Sequence, residues 1–261
     1  YKKQNITRKI FSNFFEECGD YNQYYLTIEA SPIWTDCYDN HDYDVFECLE
    51  NKDVDKLKEL YENYYINGLS DGATSGKALE NENTRKSKSD RNLQRTYPLA
   101  IHLKMIKEEE NLDGKDFYNK LYQKYNVPKT INIGQTWGWD IGDNFVHFEI
   151  QDYIYFLDII QKILKSYDLT KTFFIGDGSG VLSSLVYDNC DVKSSTHIDI
   201  GHLLLRQYIN NVESSTEVKH FFAENFDENM KHDTQILINQ DSFPEMPLDS
   251  MEKYMRNMDN N

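Results

Sequence analysis

This 261-residue chain predicts an α/β fold, a parallel sheet over residues 167–261 preceded by a mostly helical region over 1–166. Three observations carry that reading. Short runs suited to buried strands (Thr172–Ile175, Thr196–Asp199, Gln235–Ile238) cluster after Leu169 and alternate with helical pieces. A glycine turn, Gly176-Asp177-Gly178-Ser179-Gly180, follows the first of them and opens a helix. Upstream, apolar residues recur at helical rather than strand spacing. Strand–helix–strand–helix order implies parallel pairing with right-handed crossovers.

Taken in order, Asn51 is a candidate N-cap for a helix carrying Val54, Leu57, Leu60, Tyr61 and Tyr64, with Gly68 as its stop. Residues 69–92 are polar and nearly devoid of large apolar groups, which reads as a loop. Helical patterning resumes from Leu99 to Glu110, stops by Gly114 and returns with Phe117 and Leu121. The stretch 134–144 reads as a loop in which glycines flank Trp137 and Trp139. Ile150, Tyr153, Ile154, Leu157, Ile160, Ile163 and Leu164 then form one broad apolar face, predicting a helix over about 149–166. Beyond the glycine turn, helices are expected at Val181–Tyr187 and His202–Ile209, with a further candidate strand at His220–Ala223. No internal repeat is present.

Composition narrows function. Lys and Arg number 28 against 44 Asp and Glu, a net charge of −16 that argues against binding nucleic acid or anionic lipid. No apolar run approaches the ~18 residues of a membrane span. An aromatic content of 14% excludes a wholly disordered chain. Four cysteines without CxxC spacing suit a reducing compartment.

Glycines at 176, 178 and 180 let the backbone turn sharply and let a ligand approach. Amides at the helix start are expected to be available to an anionic group. Asp199 ends the next strand, where a carboxylate beside the turn can accept both hydroxyls of a ribose. Its other reading is a cap for the following helix. Two adenosine-carrying cofactors fit. The dinucleotide fingerprint GxGxxG wants a third glycine where this chain has Val181, whereas GxGxG is the spacing typical of S-adenosylmethionine (SAM) enzymes.

Residues 173–180 (FFIGDGSG), 197–209 (HIDIGHLLLRQYI) and especially 238–246 (INQDSFPEM) resemble the bacterial sugar O-methyltransferases of the class I SAM-dependent superfamily. The resemblance is clearest over 166–260, with GLSDG at 68–72 a fainter echo. It implies a Rossmann-like sheet of seven strands, of which the last would lie outside this sequence. It also implies a SAM-binding domain over 167–261, a cap that binds the acceptor over 1–166, and cytoplasmic work in surface-polysaccharide or nucleotide-sugar synthesis. Members of the superfamily often carry an acid two places before the first glycine. Here that place is Phe174.

The expected cofactor set is Gly176, Asp177, Gly178, Gly180, Asp199, Ile200 and Asn239. Moving a methyl from sulfonium to a sugar hydroxyl needs in-line alignment and a base. Asp241 and Glu245 are the leading base candidates, although Glu245 beside Pro244 also suits a helix-start acid. His147 is a third. Ser242 is expected to orient the saccharide acceptor, and Trp137 and Trp139 either stack on it or pack a loop. His197 reads as a core residue and His202 as a helix-start residue within reach of a cofactor. Asp36, Asp39, His41, Asp42 and Asp44 could supply oxygens to a divalent cation, but without a recognised loop spacing, so a metal is not indicated. Two rival functions share the features: a nicotinamide-dependent oxidoreductase, and a non-catalytic module on a degenerate nucleotide-binding fold.

Overall fold

In chain order, α1 (Arg8–Cys18), α2 (Tyr43–Glu50) and α3 (Val54–Glu62) come first, followed by the short strands β1 (Gly138–Ile141) and β2 (Asn144–His147). Then follow α4 (Ile150–Tyr167), β3 (Lys171–Ile175), α5 (Val181–Asn189), β4 (Ser194–Asp199) and α6 (Gly201–Asn211). Last are β5 (Glu217–Phe222), β6 (Ile236–Asn239) and α7 (Leu248–Asp259), with 3-10 turns at Ala223–Asn225 and Phe243–Glu245. The structure is a computed structural model that describes residues 6–21, 43–64, 124–126, 138–141, 144–147, 150–226, 233–240 and 242–259. The expected loop 69–92 and the helical pieces at Leu99–Glu110, Phe117 and Leu121 lie outside them.

All four expected strands of the main sheet are present and all pairs are parallel, in the order β5-β4-β3-β6. The order reverses beside β3, because β4 and β5 lie on one side of it and β6 on the other. Such a reversal leaves a crevice at the carboxyl ends of β3 and β6, the usual ligand position in open α/β sheets. The coarse expectation of a Rossmann-like α/β arrangement therefore agrees with the observed order.

Burial on both sides explains why the second half of β3, Phe173-Phe174-Ile175, is apolar without alternation. Phe173 and Phe174 point to opposite faces, and both are covered. On one face Phe174 and Ile238 meet Ile154, Leu157, Ile160 and Leu164 of α4 and the apolar side of α5. On the other, Phe173, Ile175 and Ile198 pack with Phe226 and Tyr254 of α7. A third cluster joins α1, α2 and α3 to Leu204, Leu205, Tyr208 and Ile209 of α6 and to Phe222 of β5. Glu17 of α1 fastens that cluster to the sheet, accepting from the backbone N–H of His220 at 3.1 Å and lying 3.0 Å from its Nδ1. Two of the three clusters thus combine residues from both sides of position 166.

Three expected elements differ, α3 at both ends, since it stops at Glu62 and leaves Tyr64 in the turn beyond. The cap of α3 is Asp53, whose carboxylate accepts the Lys56 N–H at 3.0 Å, not Asn51. Asn51 and Lys52 are spent on the turn out of α2, where Lys52 takes a left-handed φ of 53°. The expected loop at 134–144 contains strand: β1 and β2 pair antiparallel, with Ile141 opposite Asn144. Only Gly142-Asp143 stands between those partners, a dipeptide suited to two-residue hairpins. The α4 helix ends one residue past expectation. Asp168 at φ 53° turns the chain left-handed, and the Leu169 N–H returns to the Leu164 carbonyl at 2.9 Å.

Candidate functional site

The glycine turn crosses the carboxyl edge of the sheet at the β3–β6 reversal. Gly176 extends the ladder by one residue, donating to the Ile198 carbonyl at 2.9 Å. Gly176, Gly178 and Gly180 have φ of 66°, 54° and 72°, a region that costs an L side chain energy. Their surroundings differ sharply. A Cβ on Gly176 would lie 2.2 Å from Ser242 Oγ, so this glycine seats the β6 end against the β3 end. Among the described residues a Cβ on Gly178 would meet nothing within 4 Å, which leaves the middle of the turn open on that side. Gly180 lies against α6, whose Asn210 side chain donates to the Ser179 carbonyl at 2.7 Å.

Asp199 meets the turn directly. Its Oδ2 accepts the Gly178 N–H at 3.1 Å and a bond from Gln207 Nε2; its Oδ1 accepts the Ile200 N–H at 2.8 Å. Gly178, Ile200 and the carboxylate thus form one unit at the rim, with Asp199 only 7% exposed. Ile200 contributes through its backbone and half-buries its side chain between two core clusters.

Asp177 departs from the expectation for it. Its side chain is buried beneath the turn and its Oδ2 accepts the Ser183 N–H at 3.4 Å, in the first turn of α5. One amide of that helix start, expected to serve an anionic ligand, is therefore already taken by a carboxyl group of the chain. Burial pushes the Asp177 carboxyl up to about 7; hydrogen bonds from Ser183 pull it back, nearby Asp199 raises it and Arg206 lowers it.

Asn239 and Ser242 form a seam rather than reaching outward. Asn239 Nδ2 donates to the Ile175 carbonyl at 2.9 Å and to Ser242 Oγ, and its Oδ1 accepts the Phe243 N–H at 3.2 Å. Ser242 donates to the same Ile175 carbonyl at 3.1 Å. The INQDSFPEM string thereby fastens the chain after β6 to the end of β3. Glu245 lies in the 3-10 turn that follows, so its backbone borders the crevice while its side chain is outside the described residues.

Of the other expected residues, Trp137 and Asp241 lie outside the described residues. Trp139 and His147 belong to the hairpin, opposite Val146 and Gly138, with their side chains outside the description. Asp36, Asp39, His41 and Asp42 are likewise outside it, as is the Asp44 side chain. Among the described residues no group of three His, Cys, Asp or Glu could hold a metal ion, and no helix is long and apolar enough to cross a membrane. His197 and His202 are both fully buried, and burial holds each near 3, so both rings are neutral. His202 meets Phe46 edge-on at 5.2 Å, as a core residue rather than a cofactor contact.

Sequence reasoning passed over the residues behind Asp199. Gln207 links it to His197, whose other nitrogen meets the Tyr187 hydroxyl. Arg206, fully buried, donates to Tyr64 Oη at 3.0 Å and lies 4.4 Å above its ring. A signal existed: Arg206 and Gln207 follow the apolar run Leu203-Leu204-Leu205 and precede Tyr208-Ile209, and polar groups buried with such neighbours need partners.

No family model, curated protein or solved structure matches this chain.

Proposed function

We propose that the chain is a SAM-dependent methyltransferase whose acceptor is a sugar hydroxyl. One observation carries the nucleoside part: the strand-end carboxylate of Asp199 receives the N–H of the central glycine of the turn, at 3.1 Å, beside open space. A carboxylate there accepts ribose hydroxyls and repels a 2′-phosphate. The group fits the residues present, since the space above Gly178 is what a nucleoside edge would fill. Gly178, Asp199 and the Ile200 backbone would hold it, and when bound it supplies the electrophilic methyl.

Asp177 favours SAM over a nicotinamide dinucleotide. A pyrophosphate normally occupies the helix start after the glycine turn. Here a carboxyl group of the chain takes one amide at that position, and Val181, fully buried, stands where the dinucleotide fingerprint has its third glycine. SAM has no pyrophosphate to place.

The sugar acceptor and the link to polysaccharide or nucleotide-sugar synthesis rest on the resemblance of residues 238–246. That segment follows β6 at the crevice, where Glu245 or Asp241 would take the hydroxyl proton as the methyl arrives. Work in the cytoplasm, where SAM is made, belongs to the same reading. The non-catalytic alternative draws on one feature, Phe174 in place of the superfamily acid. Its ring stacks on His197 at 5.0 Å and is committed to packing.

Calorimetric titration with S-adenosylhomocysteine and with NAD tests the cofactor. Binding of the first and not the second supports the proposal; the reverse, or neither at millimolar concentration, overturns it. Mass spectrometry of candidate sugars after incubation with isotopically labelled SAM then tests the acceptor.

A further inference from the structure

We propose that Gln207 is a positioning residue for Asp199, the last link of a one-way hydrogen-bond chain that starts at Tyr187. The proposal rests on the reading of Asp199 as the ribose acceptor.

The direction of every link follows from chemistry. A carboxylate only accepts, so the atom of Gln207 facing Asp199 Oδ2 must be its NH₂ group. Oε1 then faces His197 Nδ1 at 2.9 Å, and an amide oxygen also only accepts. Nδ1 must therefore carry the ring proton. His197 is fully buried and neutral, so it has a single ring proton and its Nε2 is an acceptor. Tyr187 supplies the donor: burial raises its hydroxyl well above the ordinary range, so it keeps its proton. The chain reads Tyr187 O–H to His197, His197 N–H to Gln207, Gln207 N–H to Asp199.

Its far end is clamped. The His197 ring lies between Phe174, stacked at 5.0 Å, and His220 at 5.3 Å, with Tyr187 at its edge. The imidazole cannot rotate without opening the packed layer between sheet and helices. A terminal carboxyl torsion is by contrast soft. The Gly178 and Ile200 N–H groups hold that carboxylate from the loop side, and Gln207 adds the one side-chain bond that ties its Oδ2 to the rigid core. The helix carrying it is seated closely, since a Cβ on Gly180 would come 3.0 Å from Gln207 Cα.

The test compares adenosine with 2′,3′-dideoxyadenosine by calorimetry. The two differ only in the ribose hydroxyls, so general damage to the fold weakens both and leaves their affinity ratio unchanged. Wild type should favour adenosine by about tenfold or more, the value of a hydrogen bond to a charged group. Gln207→Leu should bring the ratio to within about threefold of unity, and Tyr187→Phe, which removes only the distal hydroxyl, should lower it part-way. If the leucine variant fails to fold, Gln207→Glu, of the same length, is read by the same ratio. A full wild-type ratio in Gln207→Leu or Gln207→Glu overturns the positioning role and leaves the nucleoside reading standing. A wild-type protein that does not distinguish the two nucleosides overturns both. Nitrogen NMR of His197 gives a second, ligand-independent measurement: Nδ1 protonated in wild type, and a changed tautomer balance in Gln207→Leu. An Nε2-protonated ring in wild type also overturns the chain.

Discussion

Alanine at Gly176 and alanine at Gly178 separate two jobs that the glycine turn performs within three residues. Both positions have left-handed φ, 66° and 54°, so each alanine carries about 1–2 kcal/mol of backbone cost. At Gly178 the cost ends there, because the added methyl enters open space. At Gly176 the methyl would sit 2.2 Å from Ser242 Oγ and 2.4 Å from its Cβ, and the serine must give way. Its bond to the Ile175 carbonyl and its contact with Asn239 go with it, about 1 kcal/mol each. Local overpacking adds about 1–3 kcal/mol. Gly176→Ala should therefore lose about 4–7 kcal/mol, against about 1–2 for Gly178→Ala. At about 2–4 °C per kcal/mol the two melting temperatures should differ by roughly 10 °C. Circular dichroism melts and urea titrations of the purified variants measure this. Titration with S-adenosylhomocysteine should meanwhile show Gly178→Ala folded but at least about tenfold weaker in binding, since its methyl occupies the ligand's space. Equal destabilisation of the two variants would refute the assignment of Gly176 to the seam and Gly178 to the opening.

Three further outcomes follow from the same geometry. Asp199→Ala removes an acceptor shared by Gly178, Ile200 and Gln207, so S-adenosylhomocysteine affinity should fall below detection in calorimetry; intact affinity would exclude the ribose role. Glu245→Ala should keep that affinity and slow methyl transfer at least about tenfold in a labelled-SAM assay, as expected for a base; unchanged turnover would remove it from the candidates. Asp177 ionises near 3.8 when exposed and near 7 in the fold. Between those values the folded chain keeps a proton that the unfolded chain has released, so this group's contribution to stability is lost as pH rises from about 4 to 7, on the order of a few kcal/mol. Asp177→Asn mimics the protonated form. Its urea midpoint should gain on wild type between pH 5 and pH 8, and a constant difference would contradict the burial argument. His197 and His202 act in the opposite direction: held near 3, they lose stability as pH falls below about 6.5, equally in both proteins.

Much of the frame was legible in the residues. Consecutive apolar residues such as Phe173-Phe174-Ile175 announce strands covered on both faces, and Ile154, Leu157, Ile160 and Leu164 announce a helix by spacing alone. Local pattern suffices there because burial on a strand or helix repeats every two or 3.6 residues. Near 134–144 it failed, since three glycines weaken the alternation that marks a strand. At Asn51 it failed because two neighbouring acceptors compete for the cap, and the turn out of α2 decides between them.

At the site, linear order carried the partnership of the glycine turn and Asp199, whose types and separation are fixed along the chain. What it could not carry is direction. Asp177 sits in the turn yet faces the buried start of α5; Asn239 and Ser242 sit at the crevice yet bond back to Ile175; Gln207 and Tyr187, on the helices either side of β4, stand behind Asp199. Whether a polar side chain greets a ligand or serves its own backbone depends on which donors lie within about 3 Å. Those neighbours come from other strands and helices, so only the packed sheet and its helices decide it.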